Sequence, residues 1–531
     1  MTCSNISSRL RFLFICCILP GTSFAQTAFR LDVPTGFSFD DPKYNSLVVA
    51  HVGHRAITAQ EFLLNYAFGP SFAKREEHSK RRYLDFMVYE KLLALDGYAH
   101  GVDTTDAARQ ALAEVTADLA TEELYRDDVL SKVSVTEEAI GRGVQQDRLT
   151  LSIQWLYARA AGEIAVQLES LRRGVPFDSL FARQLRDGVG MDDRSMKLSA
   201  FKLHMRNPAL AAVVDTLRAG NVSASIAAPD GFYIVKIMDV STNPIMTSSE
   251  EAKLRDEVRR ALIEHIADSL SDLYVERTMV GHHPTILRRP FDRLHAHLAK
   301  TILPESTFAA WNLSKRLRDR WGSDSLDERQ QVVDVDGSGY TIRDFLRWYH
   351  AREQNLHLNP ASPELLFSSL ERLMWVMVRD KLLTERAHKR GLDRREIVKR
   401  QTQWWKDKIV YKLVRTALAD SIQCDEAALR AYYAEHRKHY RSGKGEELSF
   451  ERARDGVLRD LVSYELTKRS VHKILKLKEE YHVTVNESVL NNLYVDTENN
   501  PRAIDVYAMK KGGIFPRPAF PTIDEEWQQW N

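Results

Sequence analysis

The feature that most constrains the fold of this chain is a sequence pattern that occurs twice. Ile57–Tyr66 aligns with Tyr340–Tyr349, and the apolar residues that precede each stretch also align. Further along, "KLLALDGYAHGVD" from Lys91 corresponds to "KLLTERAHKRGLD" from Lys381, and a third match follows in the same order. Ordered matches at a nearly constant offset indicate a duplicated module rather than two unrelated domains.

Each copy of the pattern is predicted to be mainly helical. In the first copy Thr58 is the expected N-cap of a helix, and Glu61 three residues later completes the spacing of a capping box. Apolar residues then recur at helical intervals, with breaks at Gly97 and Gly101. The predicted segments are a first module at 47–148, its completing long helix at 246–285, a helical linker at 286–330, a second module at 331–441 and its terminal helix at 446–493.

A segment with a different periodicity, residues 149–241, interrupts the first copy. "LTLSIQWLYA" alternates like a strand, three amphipathic stretches follow, and "GNVSASIAAPDGFYIVKIMDV" is typical of a short strand, a turn and a long strand. The predicted order of elements in this segment is β-α-α-β-α-β-β. The second copy has only "RSGKGEE" at the corresponding place. The predicted fold class is therefore α+β, with mostly helical modules and one inserted domain made of an antiparallel sheet with flanking helices.

Both ends of the chain differ from these modules. Arg9 and Arg11 precede the apolar run Phe12–Leu19, and the small residues Ser23 and Ala25 follow it, so residues 1–25 are predicted to be a signal peptide. No later apolar run is long enough for a membrane-spanning helix. Residues 494–531 contain glycine and proline without periodicity and are predicted to be an extended tail. We therefore expect an exported protein that resides in the periplasm.

Composition narrows the class of function. The 531 residues include 75 basic and 73 acidic side chains, so no overall charge favours nucleic-acid binding. Cys424 alone remains after removal of the predicted signal peptide, which rules out an intramolecular disulfide. No glycine-rich phosphate loop, Ser-His-Asp order or metal-ligand spacing stands out, and we expect neither a cofactor nor a metal.

Two stretches of the inserted segment resemble the parvulin-type peptidyl-prolyl isomerase domain. They are "GNVSASIAAPDGFYIVKIMDV", with its Leu-x-x-Gly-x-Val-Ser and Gly-Phe-x-Ile-x-Lys patterns, and the preceding "RRGVPFDSLFARQL". The flanking modules look like those of periplasmic chaperone-isomerases for outer-membrane proteins. The resemblance covers residues 47–285, and 330–493 as a copy of the chaperone part alone. It implies binding of unfolded polypeptide clients, outer-membrane proteins among them, and catalysed rotation about Xaa-Pro bonds.

Catalysis of this rotation needs an apolar pocket and hydrogen-bonding groups that fit the twisted amide, because no covalent bond is broken. Parvulins use two facing histidines and a nearby Asp or Cys. By the resemblance, the first histidine falls on Gln154, the second on Tyr233, and the acidic or thiol position on Gly188 or its neighbour Asp187. The resemblance therefore implies a parvulin-like domain whose catalytic groups have been replaced.

The apolar part of the implied site is better retained. Leu198, Met205 and Leu210 fall at or near positions that line the proline pocket of the family. Leu198 and Leu210 equally fit the apolar pattern of an ordinary core, so a substrate pocket and plain packing both remain open. Tyr233 is also large enough to close such a pocket.

Three functions agree with these observations. The first is a periplasmic folding factor that binds unfolded clients and carries a degenerate isomerase domain. The second is an active peptidyl-prolyl isomerase with an altered site. The third is a scaffold in a cell-envelope complex, which would have one tight partner. The oligomeric state and the identity of the clients are not set by the sequence.

Overall fold

A computed structural model describes most of the chain after the predicted signal peptide. The described residues are 43–186, 190–242, 246–302, 326–353, 356–443, 445–495, 497–502, 514–516 and 520–529, without the side chains of 300–302. Residues 1–25, the predicted signal peptide, lie outside them, as do Asp187 and Gly188. The chain divides into two compact units, one at Lys132–Leu270, the sheet unit, and one formed by Phe29–Ser131 and Ser271–Asn531, the paired unit.

The described chain is predominantly helical and contains three small antiparallel sheets, which confirms the α+β class. Within the described residues, no helix is both long and apolar enough to cross a bilayer. Apart from the single turn Lys43–Ser46, the α-helices of the described chain are α1 (Ala59–Phe68), α2 (Ser79–Ala99), α3 (Asp106–Asp128), α4 (Glu137–Asp147), α5 (Ala161–Arg172), α6 (Phe177–Arg186), α7 (Ala200–Arg206), α8 (Pro208–Val214), α9 (Ser248–His282), α10 (Arg288–Ile302), α11 (Ile342–Arg352), α12 (Pro363–Lys389), α13 (Glu396–Asp420), α14 (Glu426–His436), α15 (Phe450–Glu480) and α16 (Glu487–Asn492). The strands are β1 (Val48–Val52), β2 (Arg55–Thr58), β3 (Leu149–Ala158), β4 (Ser195–Ser199), β5 (Ile226–Ala228), β6 (Gly231–Thr242), β7 (Thr285–Ile286), β8 (Gln331–Val335), β9 (Ser338–Thr341) and β10 (Val483–Val485).

The sheet unit is built on a four-stranded antiparallel sheet of order β4-β3-β6-β5. Its two long central strands pair along their whole length, with Tyr157 opposite Tyr233 and a bulge near Ser152. Alternation along β3 sends Ile153 and Trp155 to the face covered by α7 and α8, while Leu156 points to the face covered by α5 and α6. The predicted order of strands and helices in this segment is thus observed, with α7 as an additional short helix.

Part of the predicted first module belongs to the sheet unit. Ile140 and Val144 of α4 form a buried cluster with Phe201 of α7 and Val258 of α9. Because these apolar faces cover each other, the compact unit begins near residue 132 and ends near 270. The boundaries predicted from the change of periodicity, 149 and 241, mark only the segment that carries the sheet and its covering helices.

The paired unit repeats one order of elements. In each copy a β-hairpin leads into a helix, a long helix, a short 3-10 turn and a second long helix. Thr58 caps α1 by accepting a hydrogen bond from the backbone N–H of Glu61, and Thr341 caps α11 with Asp344 in a complete capping box. The duplication seen in the sequence is therefore matched by a repeat in structure.

The two copies exchange their terminal strands. Strand β7, which follows the long helix α9 of the first copy, pairs with β8 of the second copy, with Ile286 opposite Val333. Strand β10, which follows α15 of the second copy, pairs with β1 of the first, with Ala50 opposite Val485. Each hairpin is thus completed to three strands by the other copy, and neither sheet is complete without both.

Long helices also pack across the copies. Helix α2 of the first copy lies against α13 of the second, and α3 contacts both α12 and α13. The closest approach is at Gly97, where an added Cβ would lie 2.4 Å from Cγ1 of Val410 and 2.8 Å from Cγ2 of Val414. Gly97, which the sequence marks as a helix break, instead lies within α2 and allows two helices to meet.

The end of the predicted tail is packed against the paired unit. Phe515 is buried between Tyr125 and Tyr274, with ring centroids 5.5 Å from each. Residues 520–524 have no regular secondary structure, and Glu525–Gln529 forms a short 3-10 helix. Trp527 joins the core of the first copy, where it is only 5% exposed.

We expect Gly97→Ala to lower the free energy of unfolding by about 1–3 kcal/mol, because the new methyl group would force α2 and α13 apart. The matched control is Gly456→Ala in α15, where an added Cβ meets Tyr440 at an ordinary distance of 3.5 Å. This control should leave stability unchanged or raise it by up to about 1 kcal/mol, as alanine favours helix. Urea unfolding followed by circular dichroism measures both; equal effects of the two variants would contradict the close helix contact.

Candidate functional site

Gln154 and Tyr233 do not face each other in the sheet unit. Gln154 lies opposite Lys236 on β6, and the Nζ atom of Lys236 donates to Asp178 of α6 at 2.7 Å. Gln154 is therefore on the face covered by α5 and α6, since residues of even number on β3 share that face. Tyr233 packs in the cluster of the other face, under α7 and α8. The structure thus does not bring together the two positions that were expected to form the centre of the site.

The phenol of Tyr233 is held by its own hairpin turn. Its hydroxyl donates to a carboxylate oxygen of Asp230, and its ring lies edge-on to Tyr157 with the centroids 5.2 Å apart. The Tyr157 hydroxyl donates to the backbone carbonyl of Asp230 at 2.7 Å. Burial and the neighbouring Asp230 carboxylate raise the pKa of Tyr233, so the phenol stays neutral. Tyr233 is therefore a structural element of the turn, with its polar atom already engaged.

On the face that Tyr233 occupies, the nearby positions of β3 are apolar or aromatic. Tyr157 is directly opposite Tyr233, and Trp155 is opposite Val235. Trp155 is buried, at 8% exposure, in the same cluster as Tyr233. Positions 155 and 157 of β3 share the face of position 233, whereas position 154 does not. Strict alternation of Leu151, Ile153 and Trp155 in the sequence carried the signal for this face.

The three residues expected to line a proline pocket separate into two cores. Leu198 and Leu210, 9% and 5% exposed, pack in the cluster with Tyr233. Met205 instead packs, half-buried, against the cluster of α4 and α9. Leu198 and Leu210 are therefore core residues under α8, and Met205 does not share their environment. Gly188 lies outside the described residues.

One histidine near these residues was not singled out from the sequence. His204 of α7 lies 2.7 Å from the carboxylate of Asp215, which follows α8. The pair is partly exposed, with 28% and 44% of the two side chains accessible. It fastens α7 to the end of α8 and lies on the outer side of the helices that cover Tyr233.

The paired unit contains buried charges that no sequence motif identified. Lys91 of α2 lies between Glu61, at 2.7 Å, and Asp407 of the second copy, at 3.0 Å. Burial opposes the charge on Lys91, but the two carboxylates outweigh it and raise its pKa, so the ammonium stays protonated. At the matching place in the second copy, Lys381 reaches back to Glu114 of the first copy at 2.7 Å. Both ion pairs therefore join the copies.

A second buried cluster includes the end of the chain. Lys408 of α13 lies 2.8 Å from Glu90 of α2 and 2.8 Å from Asp524 of the tail. The indole N–H of Trp527 donates to Glu90 at 2.9 Å. Burial raises the pKa of Glu90; burial acts likewise on Asp524, but Lys408 and Lys412 reverse the effect and lower its pKa. Lys408 and Glu90, a basic and an acidic side chain on two neighbouring helices, are thus both paired with a segment that is distant from them in sequence.

A third cluster surrounds Arg352 at the end of α11. Its guanidinium donates to Glu114 at 2.8 Å and to Asp118, and its Nε lies 3.7 Å from Asp380. Burial raises the pKa of Asp118 to about 6 despite Arg352, and Asp380 and Glu114 add to the rise. Burial would also raise the pKa of Glu114, but Lys381 and Arg352 lower it below its usual value.

These clusters do not form a metal centre. In the described ranges, no three His, Cys, Asp or Glu side chains are placed to hold a metal ion together. His282 pairs with Asp336 at 2.7 Å, and His295 contacts the carbonyl of Pro363 at 3.0 Å.

A comparison with protein-family models and with curated proteins yields no match to this chain. The candidate functional residues are those whose contacts are given above. In the sheet unit they are the residues around Tyr233, and in the paired unit they are the buried charges around Lys91, Lys408 and Arg352.

We expect Asp118→Asn to gain stability relative to the unmodified protein as pH rises from about 4 to about 6. The folded state keeps the Asp118 proton up to about pH 6, whereas the unfolded chain releases it near pH 4, so ionisation costs stability over this window. The asparagine variant has no such proton. The measurement is urea unfolding of both proteins at a series of pH values.

Glu114→Gln is the control for this pH effect. The lowered pKa of Glu114 contributes stability above its unfolded value of about 4.5 that is lost as pH falls. Loss of the Glu114 charge also lowers the pKa of Asp118, so with increasing pH from about 4 to 6 this variant should gain less relative stability than Asp118→Asn. As pH falls below about 4.5, its stability relative to the unmodified protein should instead rise. The same pH profile in both variants would contradict the opposite environments of the two carboxyl groups.

Proposed function

We propose that this chain is a periplasmic folding factor that binds unfolded polypeptide clients, outer-membrane proteins among them, and whose parvulin-like domain binds rather than isomerises. The observation that carries this proposal is the state of Tyr233, whose hydroxyl is engaged by Asp230 on a face otherwise lined by Ile153, Trp155 and Val235. Transition-state stabilisation needs polar groups directed at the reacting amide. That face offers packed apolar side chains instead.

The order of strands and helices in the sheet unit supports the parvulin-like part of the proposal. The first strand lies in the centre of the sheet next to the last one, helices cover both faces, and a tight turn precedes the last strand. Gly231 of this turn has φ of 152°, and an added Cβ would lie 2.6 Å from the ring of Tyr157. The Gly-Phe-x-Ile-x-Lys pattern thus begins at a position where only glycine fits.

Exposed apolar side chains at one end of the sheet unit support client binding. Leu149, Val222, Met238 and Val240 are each between 36% and 41% exposed, and all lie on or beside β3 and β6. The outer strands β4 and β5 are short, with five and three residues. Apolar side chains next to short strand edges suit weak contacts with many extended clients.

We expect the mature protein to leave Xaa-Pro exchange in a peptide at its spontaneous rate, with a time constant of tens of seconds or more. Two double variants test the site. Trp155→His with Tyr233→His places both imidazoles on one face of the sheet, whereas Gln154→His with Tyr233→His places them on opposite faces and serves as the matched control. A protease-coupled assay measures the rate. Acceleration by the unmodified protein would contradict a binding-only domain and make the chain an isomerase.

The same protein should keep a urea-denatured outer-membrane β-barrel protein from aggregating after dilution, as followed by light scattering. The expected result is a dose-dependent loss of scattering that survives the Tyr233→His change, because client binding does not need catalysis. Met238→Asp with Val240→Asp should weaken the effect by removing exposed apolar surface. No suppression by the unmodified protein at any ratio would overturn the folding-factor proposal.

A further inference from the structure

Residues 520–529 occupy a groove of the paired unit that is formed by α1 and α2 of the first copy and α13 of the second. Asn65 of α1 holds the backbone of this segment from both sides: its Nδ2 donates to the carbonyl of Pro521 at 2.8 Å, and its Oδ1 accepts from the N–H of Ile523 at 3.0 Å. The ring of Phe520 stacks on Phe68, with centroids 5.0 Å apart. Contacts to backbone amides from a fixed side chain are a common way to bind an extended peptide.

Two side chains anchor the segment. The Asp524 carboxylate accepts from Lys408 at 2.8 Å and from the Tyr411 hydroxyl at 2.9 Å. Trp527 packs on Phe86 and Tyr411, with ring centroids 5.9 Å and 6.3 Å away. The groove thus recognises a carboxylate and, three residues later, an indole.

The charges of groove and segment are complementary. Arg415 lies 3.4 Å from Asp524 and 3.2 Å from Glu526, and Lys412 lies 4.0 Å from Asp524. The groove also contributes an acidic group, Glu90, which accepts the backbone N–H of Asp524 and the indole N–H of Trp527, both at 2.9 Å. An acidic, aromatic peptide therefore fits this surface, and a basic one does not.

The second copy fills the corresponding place with its own residues. Asp380, which precedes Lys381 as Glu90 precedes Lys91, accepts the indole N–H of Trp348 at 3.0 Å. Trp348 stands in α11 where α1 has Asn65, next to the matching pair Tyr349 and Tyr66. In the second copy the indole comes from inside the module, whereas in the first it comes from a separate segment.

The first copy cannot supply these groups from α1. Helix α11 continues to Arg352, which reaches Asp380, but α1 ends at Phe68. At the following position, Gly69, an added Cβ would lie 1.7 Å from the hydroxyl of Tyr83. A side chain at residue 69 is therefore excluded, and the acid Glu90 depends on Lys408 and on whatever peptide lies in the groove.

The groove also has room beside its occupant. A pocket next to Trp527 is lined by Arg415, Thr467, Ser470 and Glu526. The Ser470 side chain is 3% exposed, and its hydroxyl has no hydrogen-bond partner among the described residues. A buried hydroxyl without a partner is costly, so a peptide with a polar group at this position would be bound better than the tail itself.

We propose that this groove is a peptide-binding site for segments that carry an Asp-x-x-Trp pattern, or a close acidic-aromatic equivalent, in a short 3-10 turn, and that residues 520–529 are its internal, displaceable occupant. The proposal rests on the folding-factor function, for which it names one client surface. Because the tail belongs to the same chain, its effective concentration at the groove is high, and a client must compete with it. Only a client segment whose affinity for the groove is high enough to displace the tail is therefore bound.

The test uses a fluorescent peptide with the sequence FPTIDEEWQQ, which is residues 520–529, and the full-length mature protein. Asp524→Asn with Trp527→Ala removes both anchors of the tail and opens the groove. Fluorescence anisotropy should show at least about tenfold tighter binding to this variant than to the unmodified protein. Peptides with Asp→Asn or Trp→Ala at the anchor positions should bind at least about tenfold more weakly than the parent peptide.

A groove variant separates specific binding from loss of structure. Arg415→Glu, added to the opened protein, should abolish peptide binding because Arg415 faces two acidic residues of the segment and is not central to the core. Circular dichroism establishes that each variant is folded. No binding of the parent peptide to a folded, opened protein, or equal binding of the parent and the Trp→Ala peptides, would overturn the proposal.

Suppression of client aggregation is measured on the same proteins, so that a failure of the groove proposal can be told apart from a failure of the folding-factor proposal. The opened variant should suppress aggregation of the denatured outer-membrane protein more strongly than the unmodified protein, and free peptide should reverse this gain. If neither opening the groove nor adding the peptide changes the suppression of aggregation, the groove is not a client site. The folding-factor proposal would stand in that case. Tight peptide binding without any suppression by either protein would overturn the folding factor and the client role together.

Discussion

The paired unit depends on a buried ammonium group that draws its partners from both copies. Lys91 is enclosed by Glu61 of its own copy and Asp407 of the other, and Tyr98 donates to the same Asp407 carboxylate at 2.7 Å. Removing one partner of a buried ion pair leaves an uncompensated charge, at a cost of about 3–5 kcal/mol. Separation of α2 from α13 is therefore opposed by electrostatics as well as by lost apolar contact. The exchanged strands β7 and β10 add backbone hydrogen bonds to the same association.

Much of this architecture was predictable, because it rests on local patterns. The matched stretches Ile57–Tyr66 and Tyr340–Tyr349 indicated the duplication, and the predicted cap Thr58 marks where α1 begins. The pairing between the copies was not predictable, since periodicity shows that a helix has an apolar face but not which helix covers it. The exchange of β7 and β10 could not be predicted either, because strands of two and three residues have almost no sequence pattern of their own.

The site in the sheet unit shows a different limit. A shift of one residue along a strand moves a side chain to the other face. Matching a short motif to Gln154 rather than to the neighbouring Trp155 was enough to place an expected catalytic position under α5 and α6 instead of on the face of Tyr233. The packing of the tail could not be predicted, because the tail has no periodicity. Asp524 and Trp527 act as single anchors and not as members of a repeating face.

Fusion of the two copies in one polypeptide changes what evolution can do with them. Two identical chains that exchanged strands would have to carry the same residue at Asn65 and at Trp348, and would associate only above a threshold concentration. In this chain the two copies are covalently linked, so they are always present in equal amounts and associate at any protein concentration. One half could therefore close its groove permanently with a tryptophan while the other kept an asparagine and left the groove to a removable segment.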